Sequence, residues 1–421
     1  MGANGPGVTD TTITIGVTYY QSAASANAAF GASGVNLGDP VLGTKILVKA
    51  INDSGGVAGR RLQALFYAVD PQASTPYAIE GQAVCTYFTQ DHHVFAMIDG
   101  APAADARKCL QKHGVAYLGG SLIKPSLWGN EVDAYATELP RMFATLVPGL
   151  ASLGWFSPWN SVTASAGTLR AKVGIVTSDS PDDNHAVDGV LVPALRAVGY
   201  APNPGDIIRI TPPQGFGDDG AVAAAIDAAV LKLNSDGVDH VILNDGNGSL
   251  SLLFNTYAYS QNYFPRYGGS SGNAWQVFLS AGDLQPKTLN GALGIGWQPL
   301  FDVPYGKGDG PEPNAARHRC FAIFRAGGTP HTDAASAGGQ AEGCDVAFLL
   351  PTLFTGYKGP LNLDVFLARV NALGTSYQLS SAFGSRFSST QHAGIGEYKA
   401  MAFTASCKCI RYTGSMRPMS S

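Results

Sequence analysis

Short apolar runs alternate with segments of helical periodicity in the first part of the chain. Residues 13–17 (ITIGV) form an apolar, β-branched run, and residues 44–52 then place apolar side chains at helical spacing. Residues 61–69 (RLQALFYAV) return to a strand-like run. Regular alternation of strand and helix favours a parallel sheet with right-handed crossovers. The pattern therefore predicts an α/β unit.

The same alternation restarts in the middle of the chain and indicates a second unit. Strands are predicted at 172–177, 206–210, 240–243, 276–280 and 292–296, with helices at 186–198, 221–233 and 250–261. Helices return at 314–326, 341–355 and 364–373, and the tail at 398–412 alternates like a pair of edge strands.

Polar and aromatic side chains follow several of these strands. In open α/β sheets, ligands bind in the crevice beyond the carboxyl ends of the strands. Turn-forming residues are also common in solvated loops, so each position alone fits either interpretation. The recurrence at equivalent strand ends favours a ligand cleft. The candidates are Tyr19, Tyr20, Gln21, Ser22, Gly100, Ala101, Ser121, Asp179, Asn184, His185, Asp245 and Asn247.

Four sequence elements together resemble a known family. They are ITIGV near the start, INDSGGVAGRRL at 51–62, a strand ending in VD at 69–70, and AKVGIVTSDSPDDNHAVDGVLVPALRAVGY at 171–200. The chain resembles the type I periplasmic binding proteins, in the branched-chain amino acid receptor class of ABC transporter substrate-binding proteins. The resemblance implies an α/β fold with two Rossmann-like lobes, whose parallel sheets are flanked by helices and joined by a three-crossover hinge. We expect lobe 1 at 1–148 plus 302–382 and lobe 2 at 149–301 plus 383–421, with the ligand cleft between them.

The resemblance also bears on the ligand. Amino-acid receptors of this family hold the carboxylate with hydroxyls and backbone amides, and the ammonium with an acidic residue on the second lobe. Here Ile123 aligns with a threonine of those receptors, Ser271 with the acidic residue, and Ala101 lies where serines are usual. An unpaired charge in a closed cleft is costly. We therefore expect a less charged, more apolar ligand, and add Ser271 and the aromatic Trp297 to the candidates, although a tryptophan is more often a packing residue.

Composition and charge narrow the functional classes. A chain of 421 residues suggests two or three domains, and 45% hydrophobic with 14% charged residues fits a compact globular protein. The net charge of −4 and the lack of a basic run give no basis for nucleic-acid binding. No apolar stretch reaches the length of a membrane span. The first residues resemble no signal peptide, so we expect any such peptide to have been removed, and a membrane link only through a lipid anchor outside this sequence.

The cysteines offer three interpretations. Nearest neighbours would pair Cys85 with Cys109, Cys320 with Cys344, and Cys407 with Cys409, although six cysteines allow fifteen connectivities. Disulfides would indicate an oxidising, extracytoplasmic compartment. A metal site would use Cys320 and Cys344 with His318 and His331, but the chain has no CxxC pair. Six buried free thiols are the third alternative.

We therefore expect an exported, monomeric solute-binding protein that delivers a small molecule to an ABC transporter permease, without cofactor, metal or catalytic residues. A ligand-sensing regulator on the same fold is an alternative, which would need a signalling module. A serine hydrolase using Ser270 is another, because 268–272 (GGSSG) matches GxSxG. A nucleophile elbow needs a strand before it and a helix after it, whereas we expect a loop followed by a strand there.

Overall fold

The structure, a computed structural model, describes residues 3–22, 24, 27, 31–73, 75–98, 106–119, 129–305 and 314–420. Its strands are β1 Thr12–Tyr20, β2 Arg61–Val69, β3 Ala96–Ile98, β4 Ala116–Gly119, β5 Glu131–Asp133, β6 Trp159–Asn160, β7 Ser165–Ala166, β8 Val173–Ser178, β9 Ile207–Ile210, β10 His240–Leu243, β11 Arg266–Ser270, β12 Leu293–Gly296, β13 Glu397–Thr404 and β14 Cys409–Pro418.

The α-helices are α1 Pro40–Asp53, α2 Tyr77–Thr86, α3 Arg107–Lys112, α4 Leu139–Ser152, α5 Pro181–Ala186, α6 Val192–Ala197, α7 Asp219–Ser235, α8 Ser249–Ser260, α9 Trp275–Ala281, α10 Pro299–Asp302, α11 Ala315–Ala326, α12 Ala334–Ala347, α13 Leu349–Leu353 and α14 Leu363–Asn371. Two π-helical turns, Tyr87–Asp91 and Val187–Leu191, continue α2 and α5. Among the described helices, none combines the length and apolar character needed to cross a bilayer.

The first sheet has the strand order β2-β1-β3-β4-β5, and all its pairs are parallel. Its strand β1, which is paired on both sides, buries Ile13, Ile15 and Val17, and this accounts for the continuous apolar run in the sequence. The helices α1, α11 and α12 pack together on this lobe. The predicted first α/β unit is confirmed.

The second sheet has the order β14-β13-β12-β11-β10-β8-β9. From β9 to β12 the pairs are parallel, and the hairpin of β13 and β14 adds two antiparallel strands at one edge. The tail therefore forms the edge strands that its alternating pattern predicts. Together the sheets confirm the expected α/β class with two parallel-sheet lobes.

Two elements near residue 270 differ from the prediction. The expected strand at 276–280 is the helix α9, and the expected loop before it is the strand β11. The apolar run of α9 is too short for periodicity to distinguish strand from helix. In β11, added Cβ atoms would lie 2.7 Å from Leu150 Cδ1 at Gly268 and 2.6 Å from the Trp275 ring at Gly269, so these glycines allow close packing within a strand.

The chain passes between the lobes at three places, which together form the hinge. The first crossing follows β5, the second follows β12, and the third precedes β13. The first and third run side by side, because Asp133 N donates to His392 O at 3.1 Å and Ile395 N donates to Ala136 O at 3.1 Å. The three-crossover hinge expected from the resemblance is thus present.

Helix α4 lies directly after the first crossing and bears on the lobe boundary. It packs against β11 and β12, and a Cβ added at Gly149 would lie 3.0 Å from Ile295 Cγ2. These contacts pack α4 against the second sheet, and the predicted boundary at 148 stays a prediction. The boundaries at 301 and 382 stay predictions as well.

The cysteines form the three nearest-neighbour disulfides, Cys85–Cys109, Cys320–Cys344 and Cys407–Cys409, and none is free. The simplest predicted pairing is confirmed, and the free-thiol alternative is wrong. The first bond joins α2 to α3, and the second joins α11 to α12. The cysteines of the metal alternative, Cys320 and Cys344, are joined in the second disulfide and are not available as thiolate ligands. No group of metal-ligating side chains occurs among the described residues.

Candidate functional site

The carboxyl end of the first sheet meets the second lobe through three aromatic rings. Tyr20, the last residue of β1, lies 5.9 Å from the ring of Phe216, which belongs to the 3-10 turn Phe216–Asp218 of the second lobe. The ring of Tyr77 of α2 lies 5.2 Å from the Phe216 ring, and both contacts are edge-to-face. Tyr77 N also donates to Gln214 O at 2.7 Å. We call Tyr20, Tyr77 and Phe216 the aromatic latch.

A second contact between the lobes lies in the segment before α1. Gly34 N donates to Asp283 Oδ2 at 3.3 Å, and a Cβ at Gly34 would lie 2.7 Å from Ala281 O. The buried Ala32 packs into the apolar core of the second lobe together with Leu252. Among the described residues, the lobes therefore touch at two places away from the hinge, the aromatic latch and the Gly34 segment.

The other candidates on β1 lie near the latch. Tyr19 is half-buried and makes an edge contact with Phe66 at 6.3 Å. Gln21 is exposed, and its backbone N donates to Val69 O at 2.8 Å. Ser22 is half-buried. The structure thus brings Tyr20 to a contact between the lobes, and a ligand contact by Tyr19, Tyr20, Gln21 or Ser22 stays a prediction.

Asp245 and Asn247, at the end of β10, are used for a local turn. Asp245 Oδ1 accepts from Gly248 N at 3.0 Å, and its Oδ2 accepts from Ser251 N at 2.7 Å. Asn247 Oδ1 accepts from Ser249 N at 3.1 Å. Burial raises the pKa of Asp245, and the bonds from Ser251 oppose this. These contacts favour a structural role at the start of α8, in line with the turn interpretation.

Two of the candidates after β8, Asp179 and Asn184, are hydrogen-bonded to each other. Asn184 Nδ2 donates to Asp179 Oδ1 at 2.8 Å, and Asn184 Oδ1 accepts from Arg209 at 2.6 Å. His185 is exposed. Asp179 and Asn184 therefore fix the beginning of α5, and a ligand contact by any of the three stays a prediction.

Ser271 and Trp297 belong to a buried network around Asp302. Ser271 Oγ donates to Asp302 Oδ2 at 2.7 Å and accepts from Trp297 N at 2.8 Å, while the Tyr412 hydroxyl donates to Asp302 Oδ2 at 2.6 Å. Burial raises the pKa of Asp302 to about 6, and the hydroxyl donors oppose it. Trp297 is 2% exposed. The Ser271 hydroxyl is thus engaged within the protein, which favours a structural role for it and for Trp297.

Two hinge features were missed by the sequence analysis. Gln298 Nε2, after β12, donates to Glu342 Oε1 on α12 at 2.7 Å, which links the second crossing to the first lobe. Burial, followed by the nearby Asp345, raises the pKa of the half-buried Glu342 to about 8. Asp133 is fully buried at the first crossing, and burial, followed by Glu131, raises its pKa well above the usual range. The small residues around Glu342, in the run GQAEGCDVA, are a signal from which close packing at this position could have been inferred.

The GxSxG match has the strand and helix that we did not expect, since its first three residues belong to β11 and α9 follows it. Ser270 nevertheless has an extended φ of −137°, and its Oγ contacts Met142 Sδ at 3.3 Å and Gly272 N at 3.2 Å. A serine nucleophile needs an adjacent base. No histidine contacts Ser270 Oγ within the described ranges, so this geometry gives the hydrolase alternative no support.

The motif NDSGGVAGR and the latch lie at opposite ends of the strands of the first sheet. Residues 54–60 precede β2, so they adjoin the amino ends of the parallel strands, whereas Tyr20 is at the carboxyl end. A groove of 660 Å³ opens beside this turn, with Ile51, Ile323 and Phe348 in its wall. The motif therefore shapes the turn from α1 into β2 and is not part of the boundary between the lobes.

Three candidates, Gly100, Ala101 and Ser121, lie outside the described residues, as does Ile123.

No family model matches the chain, and no curated protein does. Solved structures do. A solute-binding protein of an ABC transporter from R. palustris, in complex with 4-hydroxybenzoate, superposes with a TM-score of 0.65 at 14% identity, over 97% of both chains. A fatty acid ABC transporter substrate-binding protein from Thermomonospora curvata gives 0.61 at 15% identity, over 99% of this chain and 93% of the other. An ABC transporter substrate-binding protein from Desulfitobacterium hafniense, in complex with Leu, gives 0.59 at 17% identity, over 96% and 100%.

These similarities, with the two sheets and the three crossings, define the class: the chain has the type I periplasmic binding protein fold. The resemblance drawn from the sequence is confirmed at the level of the fold.

Proposed function

We propose that this chain is an extracytoplasmic solute-binding protein, which captures a small organic molecule between its lobes and delivers it to an ABC transporter permease. The observation that carries the proposal is the arrangement of the two lobes. They are joined by three chain crossings. They also contact each other at the aromatic latch and at the hydrogen bond from Gly34 to Asp283.

Closure explains how such a protein binds without catalysis. A ligand that contacts both lobes has more contacts in the closed state than in the open state, so it shifts the population toward closure by that difference in affinity. The latch residues lie on opposite lobes and come together in the closed state. The permease would then recognise the closed form, and the chain would act as a monomer.

The ligand that we propose is an organic molecule with less charge than an α-amino acid. The structurally similar proteins were solved with leucine and with 4-hydroxybenzoate, and one is described as a fatty acid transporter component, so the fold accommodates several ligand classes. In this chain the position expected to hold an ammonium is Ser271, whose hydroxyl is bound to Asp302. The tyrosines at the end of β1 offer ring faces and hydroxyls instead.

The disulfides support a location outside the cytoplasm. Such bonds persist in oxidising compartments and are rare in reducing ones. All six cysteines are paired, and Cys85, Cys320 and Cys344 are at most 1% exposed.

A thermal-shift screen tests the proposal, because a ligand that binds the native state raises the melting temperature. The panel comprises benzoic and hydroxybenzoic acids, medium-chain fatty acids, aliphatic amides and leucine. We expect one of the first three classes to raise the melting temperature and to leave the molecule compact in small-angle scattering. A shift with leucine alone would contradict the proposed ligand class, and a tight ligand that binds equally well when closure is blocked would contradict the mechanism.

A further inference from the structure

The groove at the amino ends of the strands of the first sheet lies away from the contacts between the lobes. It has a volume of 660 Å³, and its wall is formed by the end of α1, the turn 54–59, two positions of α11 and the segment 348–358, which contains α13. Small-molecule sites usually have volumes of about 300–1,000 Å³. The groove therefore has a size suited to a small organic molecule.

Most of the side chains in the wall of the groove are apolar or aromatic. Ile51 and Phe354 are at most 1% exposed, and Ile323, Phe348 and Tyr357 are half-buried. Removing apolar surface from water is favourable, and aromatic rings supply large contact areas. The wall can therefore hold the apolar body of a ligand.

Two guanidinium groups lie over aromatic rings of this wall. Arg369 Cζ lies 4.2 Å from the centre of the Tyr357 ring, and the Tyr357 hydroxyl donates to Pro360 O at 3.1 Å. Arg319 Cζ lies 4.4 Å from the centre of the Phe348 ring. These contacts fix the rings, so the groove is formed without a ligand, as is usual for small-molecule sites.

The charges in the wall have one sign. Among the described residues that line the groove, the charged ones are Arg319 and Lys358, and both are exposed. None of these lining residues is acidic, although the chain has a net charge of −4. A guanidinium can lie over an aromatic ring and bind a carboxylate through two hydrogen bonds at the same time. The wall is thus complementary to a carboxylate.

The helix ends beside the groove do not oppose this assignment. α1 and α13 both end here, and unbonded carbonyl groups at a helix end attract positive charge. However, Ala50 O at the end of α1 accepts from Ser54 Oγ at 2.9 Å, and Pro351 O at the end of α13 accepts from Thr355 Oγ1 at 2.9 Å. Because these carbonyl groups are bonded within the protein, the two cationic side chains determine the sign of the ligand.

We propose that this groove is a second ligand site, which binds a small carboxylate with an apolar body, such as a medium-chain fatty acid. Arg319 binds the carboxylate with Lys358 as a second cation, and the apolar body lies against Ile51 and Ile323. The site lies at the opposite end of the strands from the latch, so it does not depend on the function proposed above. It also gives the motif NDSGGVAGR a role, since residues 54, 56, 58 and 59 lie in the wall.

Photoaffinity labelling tests where such a ligand binds. The protein is irradiated with a decanoate analogue that carries a diazirine on its chain, and the labelled peptides are identified by mass spectrometry. We expect labels within 50–59, 319–323 or 348–358. Excess decanoate should suppress them, and the same concentration of decanol, the neutral analogue, should not. Labels that are absent, confined to the boundary between the lobes, or insensitive to decanoate would overturn the proposal.

Two substitutions test the cations, and the readout is the decanoate concentration that halves labelling of the groove. We expect Arg319→Gln to raise this concentration about tenfold, because it removes the charged, two-point contact to the carboxylate. Lys358→Gln should raise it about threefold, as expected for an exposed ion pair. The matched control is Arg325→Gln, at an exposed arginine of the same helix α11 that lies outside the wall, and it should behave like the parent.

Circular dichroism checks that the three variants are folded. Equal decanoate concentrations for Arg319→Gln, Lys358→Gln and the parent would overturn the proposal. A parent protein that sediments as a dimer, together with a Lys358→Gln variant that sediments as a monomer, would show instead that the groove joins two copies of the chain, and would overturn it as well.

Discussion

At the scale of single residues, Phe216 is the side chain that links the lobes most directly. Its ring makes edge-to-face contacts with Tyr20 and Tyr77, and each such pair contributes about 0.5–1.5 kcal/mol. We expect Phe216→Ala to weaken binding of the ligand found by the screen about tenfold, since 1.4 kcal/mol corresponds to that factor. Isothermal titration calorimetry measures the change.

A matched control for Phe216 is Leu231→Ala, because Leu231 is an exposed apolar residue of the same lobe, on α7, with 54% of its surface exposed. It should bind like the parent. If the Phe216→Ala variant also binds like the parent, the latch does not contribute to closure.

Glu342 gives a residue-scale prediction about pH. Because its pKa in the folded protein is raised to about 8, the folded state holds a proton that the unfolded chain has already lost. Its contribution to stability is present at low pH and is lost as pH rises through 8. We expect Glu342→Gln, which can still accept a hydrogen bond from Gln298, to flatten the fall in unfolding free energy between pH 6 and pH 8.5 by about 1 kcal/mol, allowing for its partial exposure.

Urea denaturation at several pH values measures this effect, and Asp10→Asn, at an exposed carboxyl, is the control. The burial of Asp302 and Asp345, whose pKa values are both raised to about 6, should add a smaller decline at lower pH. An unchanged slope in Glu342→Gln would show that this carboxyl titrates as it does in the unfolded chain.

The sequence predicted which polar residues lie at the strand ends, but it did not predict their hydrogen-bond partners. Asp245, Asn184 and Ser271 lie where the strand pattern puts them, yet their side chains bond to nearby backbone or side chains. Asp, Asn and Ser make such local bonds readily, so residue type alone cannot distinguish a cap from a ligand contact. Phe216 and Glu342 were missed because their partners are distant in sequence.

At the scale of elements, periodicity predicted most of the longer strands, but it missed the short strands β5, β6 and β7 and failed around residue 270. β2 and β10 have the predicted limits, and the alternating tail forms β13 and β14. The error at α9 arose because a buried helix and a buried strand of that length share the same apolar composition. The glycines of β11 also led us to expect a loop there. In the structure they lie in a strand, where Gly269 allows the Trp275 ring to pack closely against the backbone.

Helix α8 provides a prediction at this scale. Asp245 accepts hydrogen bonds from Gly248 N and Ser251 N, at the start of the helix. Asp245→Ala removes these acceptors, and we expect the free energy of unfolding to fall by about 1–2 kcal/mol. Ligand affinity should change less than about twofold if the residue only caps the helix.

Urea denaturation and calorimetric titration of Asp245→Ala separate the two roles. Asp179→Ala is the comparison, since Asp179 bonds to Asn184 at the start of α5. A large loss of affinity with unchanged stability would instead assign Asp245 to the ligand site.

For the molecule as a whole, the contact at Gly34 tests closure without altering a charged or aromatic group. A methyl group there would lie 2.7 Å from Ala281 O on the other lobe. Gly34→Ala should therefore hinder closure and weaken ligand binding about tenfold, since overpacking of this kind costs about 1–3 kcal/mol. Each lobe should remain folded, so circular dichroism should not change.

The control is Gly43→Ala on α1, where the added carbon lies at an ordinary 3.5 Å from Phe324. Small-angle scattering with the ligand should show a larger radius of gyration for Gly34→Ala than for Gly43→Ala. Equal radii and equal affinities would mean that the two lobes need not meet at this point.

The two-lobe architecture followed from the repeated strand and helix pattern, whereas the contacts between the lobes did not. Each lobe is encoded by neighbouring elements, which periodicity can detect. The latch and the Gly34 contact join segments that are far apart in sequence, and no local pattern records which loops will face each other.

The disulfides have a further consequence for how the protein unfolds. Two bonds lie within the first lobe and the third within a hairpin of the second, so each covalent link leaves the hinge free to rotate. The chain entropy that the bonds remove from the unfolded state is concentrated in the first lobe, since longer loops contribute more. Complete reduction would thus lower the melting temperature of the first lobe more than that of the second. A single calorimetric transition would then split into two.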